Sequence, residues 1–344
     1  MSGTDLTRRS ALSGAGALAL AGAALPALAD GPAEGAPDFA AVADGAARLD
    51  QLHSVVVMHG GATLFARRFR GPALERSVNV KSVSKTLVAL LTGIAIGRGV
   101  VPGIDAPMAA VAPRLIPTGA DPQVRAITLA HLVTMTAGLQ RTSGANYGTW
   151  VSSPNWVRHA LTRPVVAPPG ARFQYSTGAF HLLGAALAEA AGRDLHAMAR
   201  DWLARPLGIA IPPWTRDPQG RFMGGNNMGL SPAALARVGA MVADGGRWNG
   251  TQVVPEAWIE ASFQPRTRSP FSGDAYGYGW FLRRLGGERV AYARGYGGQM
   301  LYVFRDLPLV VAITSDPTRP ARTHGHVGDL HALVSETVLP AVRA

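Results

Sequence analysis

The sequence predicts an α/β domain in which one layer of antiparallel strands is assembled from both ends of the chain, with an all-helical insertion between them. Three observations carry this. Ser54 to Met58 and Ala62 to Phe69 are β-rich runs separated by His59-Gly60-Gly61, the pattern of a β-hairpin. Near the C-terminus Tyr276 to Leu282, Arg289 to Ala293, Gln299 to Phe304 and Leu309 to Thr314 read as successive antiparallel strands, with His331 to Val342 as a closing helix. Between the two groups, helical patterns recur at Thr128 to Thr136, Ala179 to Ala191 and Pro232 to Ala243, separated by loops rich in Pro and Gly. Thr86 to Ile96 is apolar on every side, so as a helix it is buried all round. The α/β part then takes residues 47–105 and 275–344, and the helical part residues 106–274. There is no internal repeat.

Composition narrows the chemistry. The 344 residues are 47% hydrophobic and 16% charged, enough apolar residue for a large core and too little charge for a disordered chain. With no cysteine, disulfides, zinc–thiolate sites, a cysteine nucleophile and a lipidated cysteine are all excluded. The net charge of +11 comes from arginines scattered along the chain, without the clustered basic and aromatic runs of a nucleic-acid surface, so no nucleic-acid partner is expected. Only two of the 33 basic residues are lysines, Lys81 and Lys85. A lysine in such a chain is a candidate for work that arginine cannot do, such as giving up its proton.

The first 29 residues read as a twin-arginine export signal: Arg8-Arg9, a weakly apolar Ala/Gly/Leu segment, and Ala27-Leu28-Ala29 before the cleavage point. An uncleaved anchor is the alternative, since roughly 18 residues can just span a bilayer, but the Gly and Pro content makes the segment a poor one. Cleavage would start the mature chain at Asp30 and leave a periplasmic or secreted protein with no stable membrane insertion. Residues 30–46 read as a Gly/Pro/Ala linker leading into a short helix.

Ser82-Val83-Ser84-Lys85 is a Ser-x-x-Lys motif at the start of the buried helix. A spacing of three puts both side chains on one helical face, one turn apart. A serine hydroxyl becomes a useful nucleophile when a neighbouring base takes its proton, and a lysine can be that base if burial and the positive helix end disfavour its charged form. A helix N-cap beside a solvated lysine is the plainer reading of these four residues, and it fits poorly with an entirely apolar helix to follow.

Two further segments add to this: Pro168-Pro169-Gly170-Ala171-Arg172-Phe173-Gln174-Tyr175-Ser176-Thr177-Gly178 ahead of an Ala/Leu helix, and Arg294-Gly295-Tyr296-Gly297-Gly298-Gln299 ahead of a strand. With Ile127 to Leu139, Trp202 to Gly208 and Leu235 to Gly250, they make the chain resemble, from about residue 50 to 340, the serine hydrolases related to class C β-lactamases and penicillin-binding proteins. That group includes esterases, D-aminopeptidase-like enzymes and 6-aminohexanoate-dimer hydrolases. The resemblance implies a β-lactamase/transpeptidase-like fold without cofactor or metal. It also implies Ser82 as acylated nucleophile, Lys85 as its base, and Tyr175 as a second proton-transfer group. The backbone N–H groups of Ser82 and Gln299 would form an oxyanion hole. Thr177, Tyr296, Gly297, Gly298 and Gln299 would contact substrate.

Two positions depart from the family pattern. Tyr175-Ser176-Thr177 stands where Tyr-x-Asn is usual, and Tyr296-Gly297-Gly298 puts a tyrosine where a lysine or histidine usually leads the third motif. A tyrosine offers a hydrogen bond but no charge to a carboxylate, so short-chain esters are expected to turn over faster than anionic β-lactams unless Arg294 supplies the missing cation. The expected partner is a small ester, amide or peptide-like molecule. β-Lactamase or D-Ala-D-Ala carboxypeptidase activity is an alternative within the class, and a penicillin-binding module without turnover is one outside it.

Other motifs carry less. Gly229-Leu230-Ser231-Pro232-Ala233 nearly matches a nucleophile elbow, but Ser231 as N-cap with Pro232 at the first helical position explains it better. His324-Gly325-His326 lacks a third ligand for a metal, and His131 and Asp105 read as structural.

Overall fold

The computed structural model describes residues 37–344; residues 1–29, expected to be an export signal, and the first part of the expected linker lie outside the described residues. One antiparallel sheet of eight strands organises the chain. Its members are β1 (Leu52–His59), β2 (Ala62–Arg68), β3 (Thr267–Arg268), β4 (Ala275–Tyr276), β5 (Phe281–Leu285), β6 (Glu288–Gly295), β7 (Gln299–Phe304) and β8 (Leu309–Ser315), in the spatial order 2-1-8-7-6-5-4-3. The N-terminal hairpin thus joins the C-terminal strands along β1 and β8, where Val55 faces Ile313 and Val57 faces Val311. Both termini build the sheet, as the sequence predicts.

Strands β7 and β8 are buried at every position, so they read as continuous apolar runs because helices cover both faces. Of the long helices, α1 spans Ala40–Arg48, α2 Ser84–Gly97, α3 Thr177–Ala191, α4 Pro232–Ala243 and α5 His326–Leu333. Helix α4 lies on one face, close enough that a Cβ on Gly239 would come within 2.8 Å of Leu301 Cδ1. On the other face Tyr302, the next residue along β7, hydrogen-bonds His331 of α5 at 3.0 Å. Residues 40–46, placed in the linker by composition, belong to helix α1, with Val42, Ala43 and Ala46 buried against the body.

Three elements differ from the sequence expectation, the first two for a tertiary reason. Tyr276 to Leu282 is two short strands, because the Gly277–Trp280 turn is pressed onto α2: Thr86 Oγ1 donates to the Gly279 carbonyl at 2.7 Å, and a Cβ on Gly279 would lie 2.5 Å from Ala89 Cβ. The helix expected over 128–136 covers only Leu129–Val133, since Met135 takes a left-handed φ of 63° and turns its carbonyl to the Gln174 N–H. The closing helix begins at His326, five residues before the apolar pattern.

Candidate active site

The sheet and the helical part meet at the N-terminus of α2. A 3₁₀ turn, Lys81–Val83, runs into this helix, and Lys81 opens it with φ of 51° while its N–H donates to Asn79 Oδ1 at 2.8 Å. Gly295 at the end of β6 lies directly on this turn, where a Cβ would collide with the Val80 carbonyl; only glycine permits the approach. The two serines of the motif are thereby separated. Ser84 is fully buried, donating to the Lys81 carbonyl at 2.6 Å and accepting from Met228 N–H at 3.0 Å. Ser82 is half-buried and faces a cleft of about 270 Å³ that also exposes Tyr175, Phe271, Arg294 and Tyr296.

Lys85 is 2% exposed, and its Nζ stands 3.0 Å from Ser82 Oγ, 3.2 Å from Thr177 Oγ1 and 2.6 Å from the Gly225 carbonyl. Burial alone lowers this ammonium from the ordinary lysine range to about 7. A proton count follows from the three partners. The charged amine can donate to all three. The neutral amine has two hydrogens and one lone pair, and the Gly225 carbonyl can only accept, so it takes one hydrogen. Thr177 Oγ1 can accept the second while passing its own hydrogen to Ser143 Oγ, 3.0 Å away. The lone pair is then left for the Ser82 hydroxyl. No carboxylate among the described residues stabilises the ammonium form, and the positive end of α2 opposes it.

Tyr175 completes this side. Its ring lies under Lys85, with Nζ 5.0 Å from the centroid. Burial pushes its phenol up, against smaller downward pulls from the hydrogen bond with Ser82 and from the Arg294 charge, so it is protonated at neutral pH. It is placed by its neighbours: Gln174 N–H donates to the Met135 carbonyl at 2.7 Å, and Ser176 Oγ accepts from Thr142 N–H at 3.1 Å.

The third motif forms the β6–β7 turn. Gly297 and Gly298 have φ of 82° and 90°, and a side chain on Gly297 would collide with the Asp316 carbonyl. Tyr296 is 53% exposed at the cleft edge. Gln299 is 1% exposed and turns away from the cleft, donating to the Ser315 carbonyl at 2.7 Å and accepting from Ser315 N–H at 3.2 Å. Its side chain braces the sheet, which leaves only its backbone for the cleft. Thr177, expected beside substrate, is likewise buried and turned to Lys85 and Ser143.

Arg294 is the cation at this site. Its guanidinium donates to Thr323 Oγ1 and the Ala321 carbonyl, each at 3.0 Å, and no carboxylate among the described residues pairs with it. Gly225, Ser143 and Phe271 carried no sequence signal. Gly225 contributes a carbonyl that every residue has, and the other two enter from loops whose path the local sequence does not encode. His326 donates or accepts at Ser315 Oγ, 3.0 Å away, behind the turn.

Comparison with known proteins gives the family and the fold. The sequence profile described as Beta-lactamase matches residues 44–335. The chain belongs to the beta-lactamase family. Among curated relatives, the D-alanyl-D-alanine-carboxypeptidase/endopeptidase AmpH of Escherichia coli (strain K12) is 29% identical over 180 residues, covering 49% of this chain and 46% of that protein. Esterase EstB of Burkholderia gladioli is 28% identical over 180 residues, covering 48% and 45%. The match thus spans about half the length of each relative. Among solved structures, a penicillin-binding protein homologue from Caulobacter crescentus superposes with a TM-score of 0.70 at 18% identity, covering 89% of this chain and 98% of that one. EstCE1, a hydrolase with promiscuous acyltransferase activity, superposes with a TM-score of 0.70 at 17% identity, covering 86% and 97%. The fold is that of β-lactamases and transpeptidases.

Proposed function

We propose that this protein is an exported serine hydrolase that cleaves esters or small amides through an acyl-Ser82 intermediate. Ser82 Oγ attacks the substrate carbonyl carbon as its proton passes to Lys85 Nζ. The oxyanion is received by the backbone N–H groups of Ser82 and Gln299, donors of a kind that contribute several kcal/mol to transition-state stabilisation. Collapse breaks the bond to the leaving group, which takes a proton from Lys85 through the Tyr175 hydroxyl. Water then attacks the acyl-enzyme, giving its proton to the same pair, and the carboxylic acid leaves with Ser82 restored.

The observation that carries this reading is the Lys85 amine, near neutral at about 7, 3.0 Å from a half-buried serine and enclosed by acceptors that leave its lone pair to that serine. Export and a periplasmic or secreted location rest on the leader sequence, and Asp30 as the mature N-terminus is checked by sequencing the exported protein. Intact-mass spectrometry with a panel of neutral esters, β-lactams and D-amino-acid amides tests the mechanism. A transient acyl adduct on Ser82 with repeated product release supports it; a permanent adduct supports a non-turnover penicillin-binding module instead.

One observation favours carboxypeptidase or β-lactamase activity as a second reading. The Arg294 guanidinium, which has no carboxylate partner among the described residues, offers a carboxylate the charge that Tyr296 lacks. Efficient hydrolysis of an anionic cephalosporin, lost in Arg294→Gln, would establish it.

A further inference from the structure

Behind Lys85 lies a buried ionisable pair that the acylation chemistry does not use. His181, one turn beyond Thr177 on α3, has no exposed surface, and its Nε2 lies 3.2 Å from Oδ2 of Asp217, whose side chain is also fully enclosed. The rings of Trp150 and Trp156 pack edge-on against the imidazole, and Arg221, 3.5 Å from Asp217 Oδ2, is the other charged group facing the pair. Gly224 N–H points at His181 Nδ1 at 3.4 Å, so that nitrogen presents its lone pair and the proton sits on Nε2, directed at the carboxylate. Asp217 Oδ1 in turn accepts from the N–H groups of Gln219 at 2.9 Å and Arg221 at 2.8 Å.

The segment organised this way ends on the lysine. Gly224 and Gly225 are pressed onto the first turns of α3, where a Cβ on Gly225 would stand 2.7 Å from the Thr177 carbonyl. Gly225 O then accepts from Lys85 Nζ at 2.6 Å. Two residues further on, Asn227 Oδ1 accepts from Asn79 Nδ2 at 3.1 Å, and Met228 N–H holds Ser84. An apolar pair could fasten this loop at least as firmly, because a buried carboxylate gives up its hydration. What an apolar pair would lack is direction: hydrogen bonds aim Gly224, and with it the next carbonyl.

We propose that His181 and Asp217 are positioning residues for Lys85: they pin the 217–225 segment to α3, so that the Gly225 carbonyl holds one hydrogen of the amine and leaves the lone pair on Ser82. The proposal rests on Lys85 acting as the base for Ser82. Asp217→Asn keeps the shape and removes the charge. With a neutral ester, its acylation rate falls by about ten- to a hundredfold, the cost of a small misplacement of a reacting group, while KM changes little. The acid limb of its pH–rate profile moves to higher pH, because a loosened segment admits water to an amine whose depressed pKa comes from burial.

His181→Gln, which keeps a donor toward Asp217, retains most of the rate, and His181→Ala does not. Tyr302→Phe, which removes a buried hydrogen bond on the far side of the sheet, serves as the control: its melting temperature falls and its acid limb stays in place. Asp217→Asn acylating within threefold of the parent overturns the proposal, as does a lower rate with an unmoved acid limb. If Asp217→Asn does not fold, His181→Gln against His181→Ala decides, equal rates overturning it. Failure of the parent to label at Ser82 would overturn the hydrolase reading itself, and is seen separately.

Discussion

The floor and the rim of the cleft are built on different principles. On the floor, Ser82, Lys85 and Thr177 hang from two buried helices, and every hydrogen of the Lys85 amine has an acceptor within 3.2 Å. At the rim, Tyr296 is 53% exposed, Phe271 is 59% exposed, and Arg294 keeps N–H groups without a protein partner among the described residues. The floor is over-determined, so small changes there should be costly and indifferent to substrate. The rim has free donors and apolar surface, so changes there should be mild and substrate-dependent. Under the proposed mechanism, reaction and selectivity would thus fall to separate sets of side chains.

The largest expected effect is on the floor. Ser82→Ala should abolish acyl-enzyme formation, whereas Ser84→Ala should retain most of it and instead lower stability by about 1–3 kcal/mol, because Met228 N–H is left unpaired. Peptide mapping after an ester or fluorophosphonate probe checks both, and label on Ser84 would break the assignment. Next comes Lys85→Arg. Arginine keeps the charge but cannot be neutral at working pH, so the acylation rate should fall by about 100- to 10,000-fold with the fold intact by thermal melting. A variant within tenfold of the parent would make Tyr175 or another group the base.

The pH dependence sharpens the same point. Burial lowers the Lys85 pKa, so the amine is neutral above about 7, the form the proposed base requires, and protonated below it. The single-turnover rate should therefore fall about tenfold per pH unit below that limb. A limb in the ordinary carboxylate range would remove Lys85 from the role.

Smaller effects belong to the rim. Arg294→Gln should reduce kcat/KM for anionic substrates by about ten- to a hundredfold, the worth of a charge-assisted hydrogen bond, and leave neutral esters nearly unchanged. Equal losses on both would show that Arg294 holds the 321–323 segment rather than the ligand. Tyr296→Ala should change neutral ester turnover least, by about threefold or less, since an exposed ring at an edge excludes little water.

Much of this was legible in the sequence, and the parts that were share a cause. The hairpin, strands β6 to β8 and helix α4 follow from local periodicity, and burial then favours what the local pattern already encodes. Ser82 and Lys85 were legible because a helix converts a spacing of three into proximity, and because two lysines among 33 basic residues single out their own positions. The split of β4 from β5, the left-handed Met135 and the inward turn of Gln299 were not legible, because each is set by a distant segment: α2, Gln174 and Ser315.

What the sequence by itself determined is the family, the sheet built from both termini and the meeting of Ser82 with Lys85. What only the tertiary structure decided is the environment of that pair, on which its proposed reactivity depends. The amine near 7 depends on the exclusion of water by segments up to 140 residues away in the chain, ending in a Gly225 carbonyl that no residue type announces. Which cation stands in the cleft was decided the same way: Tyr296 occupies the motif position, but β6 carries the Arg294 guanidinium into the cleft, where Thr323 and Ala321 hold it. A spacing encodes which side chains meet along one helix; their protonation and partners depend on the surfaces that close around them.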